Sequence, residues 1–204
     1  MANNVERKTL EQFKSQMGRD FARPNLFEVQ LAFPGDLEGT GNVADNAKFQ
    51  VRAANLPSSQ LGVVEVPFRG RVLKIAGDRT FEPWTITVMN STGFNLRTAF
   101  ENWVTAIQAP DENFTKLGGL GNQNDSAGYF ADMSVHQLGR DTSTPGADSA
   151  GGGAKTLVLK SYKFFNVFPS SISAIDLDFG NNDAIEEFTV ELQVQYWKDI
   201  TKNS

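Results

Sequence analysis

Apolar positions fall at every second residue from 27 to 33. Phe27, Val29, Leu31 and Phe33 alternate with Glu28, Gln30 and Ala32, the period of a half-buried strand. Pro34-Gly35 ends it. A polar loop is expected over 35–47, and Phe49-Gln50-Val51-Arg52 resumes a strand that Pro57 breaks. Val64, Val66 and Phe68 then alternate, Arg69-Gly70 offers a turn, and Val72, Leu73 and Ile75 return, which is a hairpin signal. Pro67 cannot donate a ladder hydrogen bond, so the outgoing strand is expected at an edge. Gly77-Asp78 reads as another turn, and Trp84, Ile86 and Val88 alternate with Thr85, Thr87 and Met89 beyond it. Strands are expected near 129–138, 155–165 and 172–178. The clearest comes last: Phe188, Val190, Leu192, Val194 and Tyr196 alternate with Thr189, Glu191, Gln193, Gln195 and Trp197.

The helical period occurs twice. Leu10, Phe13 and Met17 form a thin stripe in an N-terminal arm, a helix that needs a partner to hold it. Leu96, Phe100, Trp103, Val104 and Ile107 form a fuller stripe over 92–108, with Ser91 or Thr92 as N-cap and Pro110 as terminator. About eight strands, one strong helix and no βαβ rhythm predict a mainly β fold. It is an antiparallel β-sandwich or barrel with one packed α-helix and a protruding β-hairpin. The domain division expected is an N-terminal arm, 1–19, and one β-sandwich domain, 20–204. That domain contains the hairpin at 57–76, the helix at 92–108 and a flexible Gly/Ser/Thr-rich loop at 141–153.

Composition narrows the chemistry. The chain has 204 residues, 16 Phe, 3 Trp and a net charge of −5, enough apolar content for a core and no overall pull toward nucleic acid. There is no cysteine, which excludes disulfides, thiolate metal sites and a cysteine nucleophile. The first residues contain no apolar core of a secretory signal, and no run approaches the roughly 18 apolar residues of a spanning helix. A soluble protein made in a reducing compartment, without membrane insertion, is expected.

Catalytic readings find little support. His136 is the only histidine, set in a predicted strand without a nucleophile elbow nearby, and is best read as structural or superficial. Asp176 and Asp178 share a face of a predicted strand, but two solvated carboxylates are commoner than a glycosidase or metal pair. GGGAKT (151–156) has Ala154 where a phosphate loop needs glycine, and GGLGNQN (118–124) has Asn124 where a dinucleotide motif needs one. No catalytic, metal or cofactor site is expected. Arg69, Arg71, Lys74 and Arg79 cluster in the hairpin, where they discourage stray strand pairing or meet an acidic partner. An extended apolar hairpin with no place in a core wants a partner surface.

Two long segments, GRDFARPNLFEVQL (18–31) and AGDRTFEPWTITVMN (76–90), closely resemble signatures of the tail tube proteins of contractile-tailed, T-even-type bacteriophages. FPSSISAIDLDFGNNDAIEEFTVELQVQYW (168–197) is similar to that family's closing pattern. The likeness covers most of the chain in register. It implies a structural subunit of the virion, assembled in the host bacterial cytoplasm. Such subunits form hexameric rings that stack into a hollow tube inside a sheath. The remaining partners implied are baseplate and tail terminator proteins, with DNA passing through the lumen without specific binding. A long hairpin reaching the next ring would give Val64, Val66, Phe68, Arg69, Arg71 and Val72 a stacking role. Gly77, Asp78 and Arg79 would then form a turn at the hairpin's base, with Arg79 in an ion pair. Glu28, Gln30, Glu191, Gln193 and Gln195 are the lumen candidates. The arm, the 35–47 loop and the 141–153 loop depart from the family pattern, so no roles carry over there. The alternatives are the inner tube of a protein-delivering injection particle or secretion system, and a glycan-binding or hydrolytic β-sandwich domain of a tail fibre.

Overall fold

The computed structural model describes residues 9–17, 21–35, 37, 43–111, 113–117, 128–142 and 156–201, the side chains of Asp141, Thr142 and Thr156 excepted. The elements in chain order are α1 (Leu10–Met17), β1 (Phe27–Gln30), α2 (Val43–Gln50), β2 (Val51–Ala54), β3 (Ser59–Phe68), β4 (Arg71–Phe81) and β5 (Trp84–Met89). They continue with α3 (Asn95–Ile107), β6 (Ala131–Thr142), β7 (Thr156–Ile172), β8 (Glu187–Gln193) and β9 (Tyr196–Asp199). Antiparallel pairing runs β1-β6-β7-β8-β5-β2, β9 joins β7, and β3 pairs only with β4.

The main sheet folds on itself through β7. The first part of this 17-residue strand pairs with β6 and β9, and its last part pairs with β8. Between them, Phe165 and Asn166 stand opposite the single residue Asp132, a bulge at which Asn166 takes φ 53°. The Asn166 N–H donates to the Asp132 carboxylate at 3.1 Å, which secures the bend. One layer is β1, β6, the start of β7, and β9; the other is the end of β7, β8, β5 and β2.

Period-two patterning fills the space between the layers. Val29, Met133, Val135 and Phe164 come from the first layer, and Trp84, Ile86, Val88, Phe188, Val190 and Leu192 from the second, all essentially inaccessible to solvent. Trp84 stacks on Phe164 with ring centroids 4.2 Å apart and donates its indole N–H to the Asn55 carbonyl at 2.8 Å. The ring is thereby buried without an unsatisfied donor. Helix α3 adds Leu96, Ala99, Phe100, Trp103 and Ala106 to the same core. Phe33 meets both Phe100 and Trp103 edge-on.

Several expectations are corrected. Residues 43–47 of the expected 35–47 loop and Phe49-Gln50 of the expected strand belong to helix α2, whose Val43 and Ala47, one turn apart, are buried. The strand begins at Val51 instead, and 36 and 38–42 lie outside the described residues. Of the four apolar residues of α2 only Val43 and Ala47 are buried, and Phe49 stands exposed, so no clean helical stripe marks the segment. Helix α3 starts at Asn95 and has no side-chain cap; Ser91 begins a turn instead, accepting from the Phe94 N–H at 2.9 Å, and Phe94 takes φ 52°. Val104 lies off the buried stripe and is exposed. The strand expected over 172–178 is absent, because β7 absorbs Ile172 and ends there. The last strand is two: β8 belongs to one layer and β9 to the other, broken at Val194-Gln195 where the chain changes layer. Gln195 is therefore an exposed corner residue outside either strand. The loop proposed over 141–153 lies outside the described residues beyond Thr142, as does GGLGNQN (118–124).

Candidate assembly surfaces

The β3–β4 hairpin makes no ladder contact with the main sheet. Its tip is a two-residue turn with Arg69 at φ 44° and Gly70 at φ 80°, the positive pair that matches strand twist in tight hairpins. Its side chains lie open: Val66 is 41% and Phe68 66% exposed. The register separates two faces. Val64, Val66, Leu73 and Ile75 share one, continued at the tip by Phe68 and Arg71. Val63, Glu65, Pro67, Val72, Lys74 and Ala76 share the other, where Lys74 and Glu65 pair at 3.8 Å. Val72 thus points away from the Val64–Val66–Phe68 row, and Leu73 and Ile75 complete that row instead. Counting back two residues from Ile75 could have found them.

Gly77, Asp78 and Arg79 do not form a turn. They lie within β4, where Gly77 and Asp78 stand opposite the single residue Gly62 in a β-bulge. A Cβ on Gly77 would come 3.1 Å from the Gly62 carbonyl, so the two glycines permit a close backbone approach. Arg79 is exposed and forms no ion pair among the described residues. The chain actually turns back toward the sheet at Glu82-Pro83, between β4 and β5. The base is held there by Phe81 edge-on to Trp197 at 6.2 Å, by the Trp197 indole N–H donating to the Ser58 carbonyl at 3.1 Å, and by Ser58 and Gln60 donating to Glu82.

At the far end of the same layer lies the β7–β8 connection. Trp84, next to the hairpin, pairs with Leu192; Met89, at the other end of β5, pairs with Glu187 where β8 begins. Six residues of strand, about 17 Å at 3.4 Å per step, separate the two ends. The connection carries Asp176, Asp178, Asp183 and Glu186 with no Lys or Arg. Leu177, Phe179 and Ile185 stand exposed on it, Phe179 fully so. Its two limbs, 174–179 and 184–187, wall a cleft of about 580 Å³. Asp176 and Asp178 lie in this irregular connection, not on a strand face, and the Asp178 carboxylate accepts from the Gly180 N–H at 2.8 Å. No cluster of described residues can hold a metal ion.

The lumen candidates divide between the two layers. Glu28 and Gln30 project from the outer face of the first, beside Ser134 and His136. Glu191 and Gln193 project from the outer face of the second, beside Thr85 and Thr189. These faces lie on opposite sides of the shared core, so the structure does not bring the two sets together. The first face is mixed. Gln30, Ser134, His136 and Ser161 are linked by hydrogen bonds, with His136 Nδ1 2.8 Å from the Ser161 hydroxyl. Burial pushes the His136 pKa below its ordinary value, opposed by the nearby Glu28 carboxylate. The same face carries Phe165 stacked on Tyr196 with Lys163 and Lys198 over the rings. At its edge Asp199 is held down to about 2 by hydrogen bonds from Lys160 and Thr201. The second face is simpler: Thr85, Thr87, Thr189, Glu191 and Gln193 lie in register, and Arg52 pairs with Glu187 at its end. That contact raises the Arg52 pKa.

Comparison with known proteins identifies the family. The family model described as "Phage tail tube protein" matches residues 22–199. The tail tube protein of Enterobacteria phage T4 is 31% identical over 179 residues, 88% of this chain and 92% of that relative. The tail tube protein of Serratia phage KSP90 is 25% identical over 198 residues, covering 96% and 98%. Among solved structures, the sheath-tube complex of an extracellular contractile injection system contains a similar chain. Its TM-score is 0.53 at 16% identity, over 91% of this chain and 97% of that one. A chain of the anti-feeding prophage tube-terminating cap gives 0.54 at 17% identity, over 98% and 99%. The chain belongs to the phage tail tube protein family, and is a structural protein and not an enzyme.

Proposed function

We propose that the chain forms hexameric rings that stack into the hollow inner tube of a contractile tail and conduct DNA into the host. The observation that carries this is the β3–β4 hairpin: two long strands with exposed apolar side chains, cut off from the core of their own subunit. A two-stranded ribbon is marginal alone in water, and its exposed Val64, Val66, Phe68, Leu73 and Ile75 supply a surface for the adjoining ring. Sheath, baseplate and terminator proteins are its further partners. The similar chains in a sheath-tube complex, a baseplate and a terminating cap support that reading. Assembly takes place in the host cytoplasm.

The outer face of β5 and β8 lines the channel in this reading. Thr85, Thr87, Thr189, Glu191 and Gln193 offer hydroxyl, amide and carboxylate groups, which hold phosphate weakly or repel it, so DNA slides. The opposite face, with Lys163 and Lys198 beside Phe165 and Tyr196, would bind a polyanion; Glu28 and Gln30 are therefore assigned to the outside of the ring. Electron microscopy of concentrated purified protein tests the assembly. Rings or hollow tubes are expected, and dispersed monomers at every concentration, even with tail baseplates added as nuclei, would overturn it.

A further inference from the structure

We propose that the acidic cleft of residues 174–187 is the socket for the hairpin tip, Phe68-Arg69-Gly70-Arg71, of a second copy of this chain. The inference rests on the stacked-tube reading and names the surface that receives the hairpin.

Three observations converge on this partner. The first is charge. The hairpin from Ser59 to Phe81 carries Arg69, Arg71, Lys74 and Arg79 against Glu65 and Asp78, a net positive ribbon on a chain of net charge −5. Its one ion pair among the described residues joins Lys74 to Glu65, which leaves both tip arginines for a partner. The cleft segment holds five carboxylates and no base, and among the described residues only Glu187 of these meets a cation, Arg52. Carboxylates and guanidinium groups form paired, charge-assisted hydrogen bonds.

The second is apolar surface. Leu177, Phe179 and Ile185 project into solvent at 85%, 107% and 68% exposure beside the cleft. Exposed large apolar side chains gathered around a concavity mark an interaction site. Phe68 fits that requirement from the other side, and Arg69, placed over its ring at 5.3 Å, enters with it as one unit.

The third is position. The hairpin leaves the layer at the Trp84–Leu192 end, and the cleft lies at the Met89–Glu187 end. A protrusion and its complement at opposite ends of one subunit make a heterologous contact that cannot close between two copies. Repeated by translation along the strands, it adds rings without limit, as a tube requires. Two hairpins meeting each other would instead juxtapose four arginines.

Charge exchange tests the pairing. Arg69→Glu with Arg71→Glu should raise the concentration needed for assembly at least tenfold, and Asp176→Lys with Asp178→Lys should do the same, since like charges then face each other. All four substitutions in one chain should restore assembly. Recovery is the result that supports the socket. Normal assembly of the cleft variant beside failure of the hairpin variant would overturn the socket while leaving the hairpin as a stacking element. Failure of all three variants, each folded by circular dichroism, would also overturn it, and normal assembly of the hairpin variant would remove the stacking role itself. Because the chain has no cysteine, Phe68→Cys with Ala184→Cys reads the contact without long tubes. Oxidation in concentrated solution should yield a ladder of dimers, trimers and higher species. A dimer band alone, or none, would overturn the head-to-tail pairing.

Discussion

Gly62 and Gly77 face each other across the hairpin so closely that a Cβ on Gly77 would stand 3.1 Å from the Gly62 carbonyl oxygen. The approach comes from the bulge, which sets Gly77 and Asp78 against one residue of β3. Bulges bend a strand and increase its twist, so this pair sets the angle at which the distal hairpin leaves its base. Gly77→Val should force the strands apart there. Amide exchange within β3 and β4 should accelerate, and assembly should weaken. The core should keep its stability to within about 0.5 kcal/mol, the usual range for a surface change. Hydrogen exchange read by mass spectrometry, with a thermal melt alongside, checks both parts.

Trp84 and Phe164 tie the two layers together by stacking at 4.2 Å. Trp84→Ala removes that ring and strands the Asn55 carbonyl that accepts its N–H. A loss of about 3–5 kcal/mol is expected, the range for deleting a buried large aromatic. Urea unfolding followed by circular dichroism measures it. Trp197→Phe, which keeps a ring against Phe81 but loses the donor to Ser58, should cost about 1 kcal/mol.

The contrast between these residues shows what the sequence could carry. Trp84, Ile86 and Val88 fall inside a clean alternation, and the structure buries all three. Strand period reports burial directly, because side chains alternate across a sheet. The same period runs unbroken from Phe188 to Tyr196, yet the chain changes layers at Val194-Gln195. The corner also reverses parity: beyond it Trp197 lies level with core-facing Phe164, and Tyr196 stacks on Phe165 outside, a switch that a continuous apolar alternation does not reveal. Gly77-Asp78 was misleading for a different reason: turns and bulges use the same residues. Which outer face Glu28 and Glu191 occupy depends on how the sheet folds through Asn166, a long-range property invisible to local spacing. The acidic cleft was hidden because Asp176 and Asp178 looked like the polar side of a strand, when their segment is irregular.

His136 sits in a partly buried network with Ser134 and Ser161, and burial lowers its pKa from 6.5. As pH falls, the unfolded chain takes up this proton before the folded one does. Stability should therefore fall as pH drops through 6.5 and level off once the pH is below the folded-state pKa. Melting temperatures between about pH 7.5 and 5.5 should show this slope. His136→Gln should flatten it, and an unchanged slope in the variant would place the titration elsewhere.

Glu191 lies in register between Thr85 and Ser171 on the face assigned to the channel. Glu191→Lys changes an exposed face and not the core, so folding and assembly should survive. Six copies per ring would place a recurring belt of cations where phosphates pass. DNA ejection should slow, and the delay should shrink as salt rises, because screening weakens such attraction. Time-resolved ejection from particles carrying the variant provides the measurement. Unaltered kinetics at low salt would move the channel wall to another face.

Val66 and Phe68 test whether the hairpin belongs to its own subunit or to the next. Their row, with Val64, Leu73 and Ile75, is exposed throughout, so the isolated subunit gains almost nothing from its apolar character. In a stacked ring each Å² removed from water would contribute about 25 cal/mol, and six copies aligned together make a modest contact strongly cooperative. Val66→Ser with Phe68→Ser should leave the subunit's thermal unfolding within about 0.5 kcal/mol of the parent. The same variant should fail to elongate tubes while still mixing into single rings. Analytical ultracentrifugation separates rings from stacks. A variant that unfolds would assign the hairpin to the core, and one that still builds long tubes would place the stacking contact outside this row.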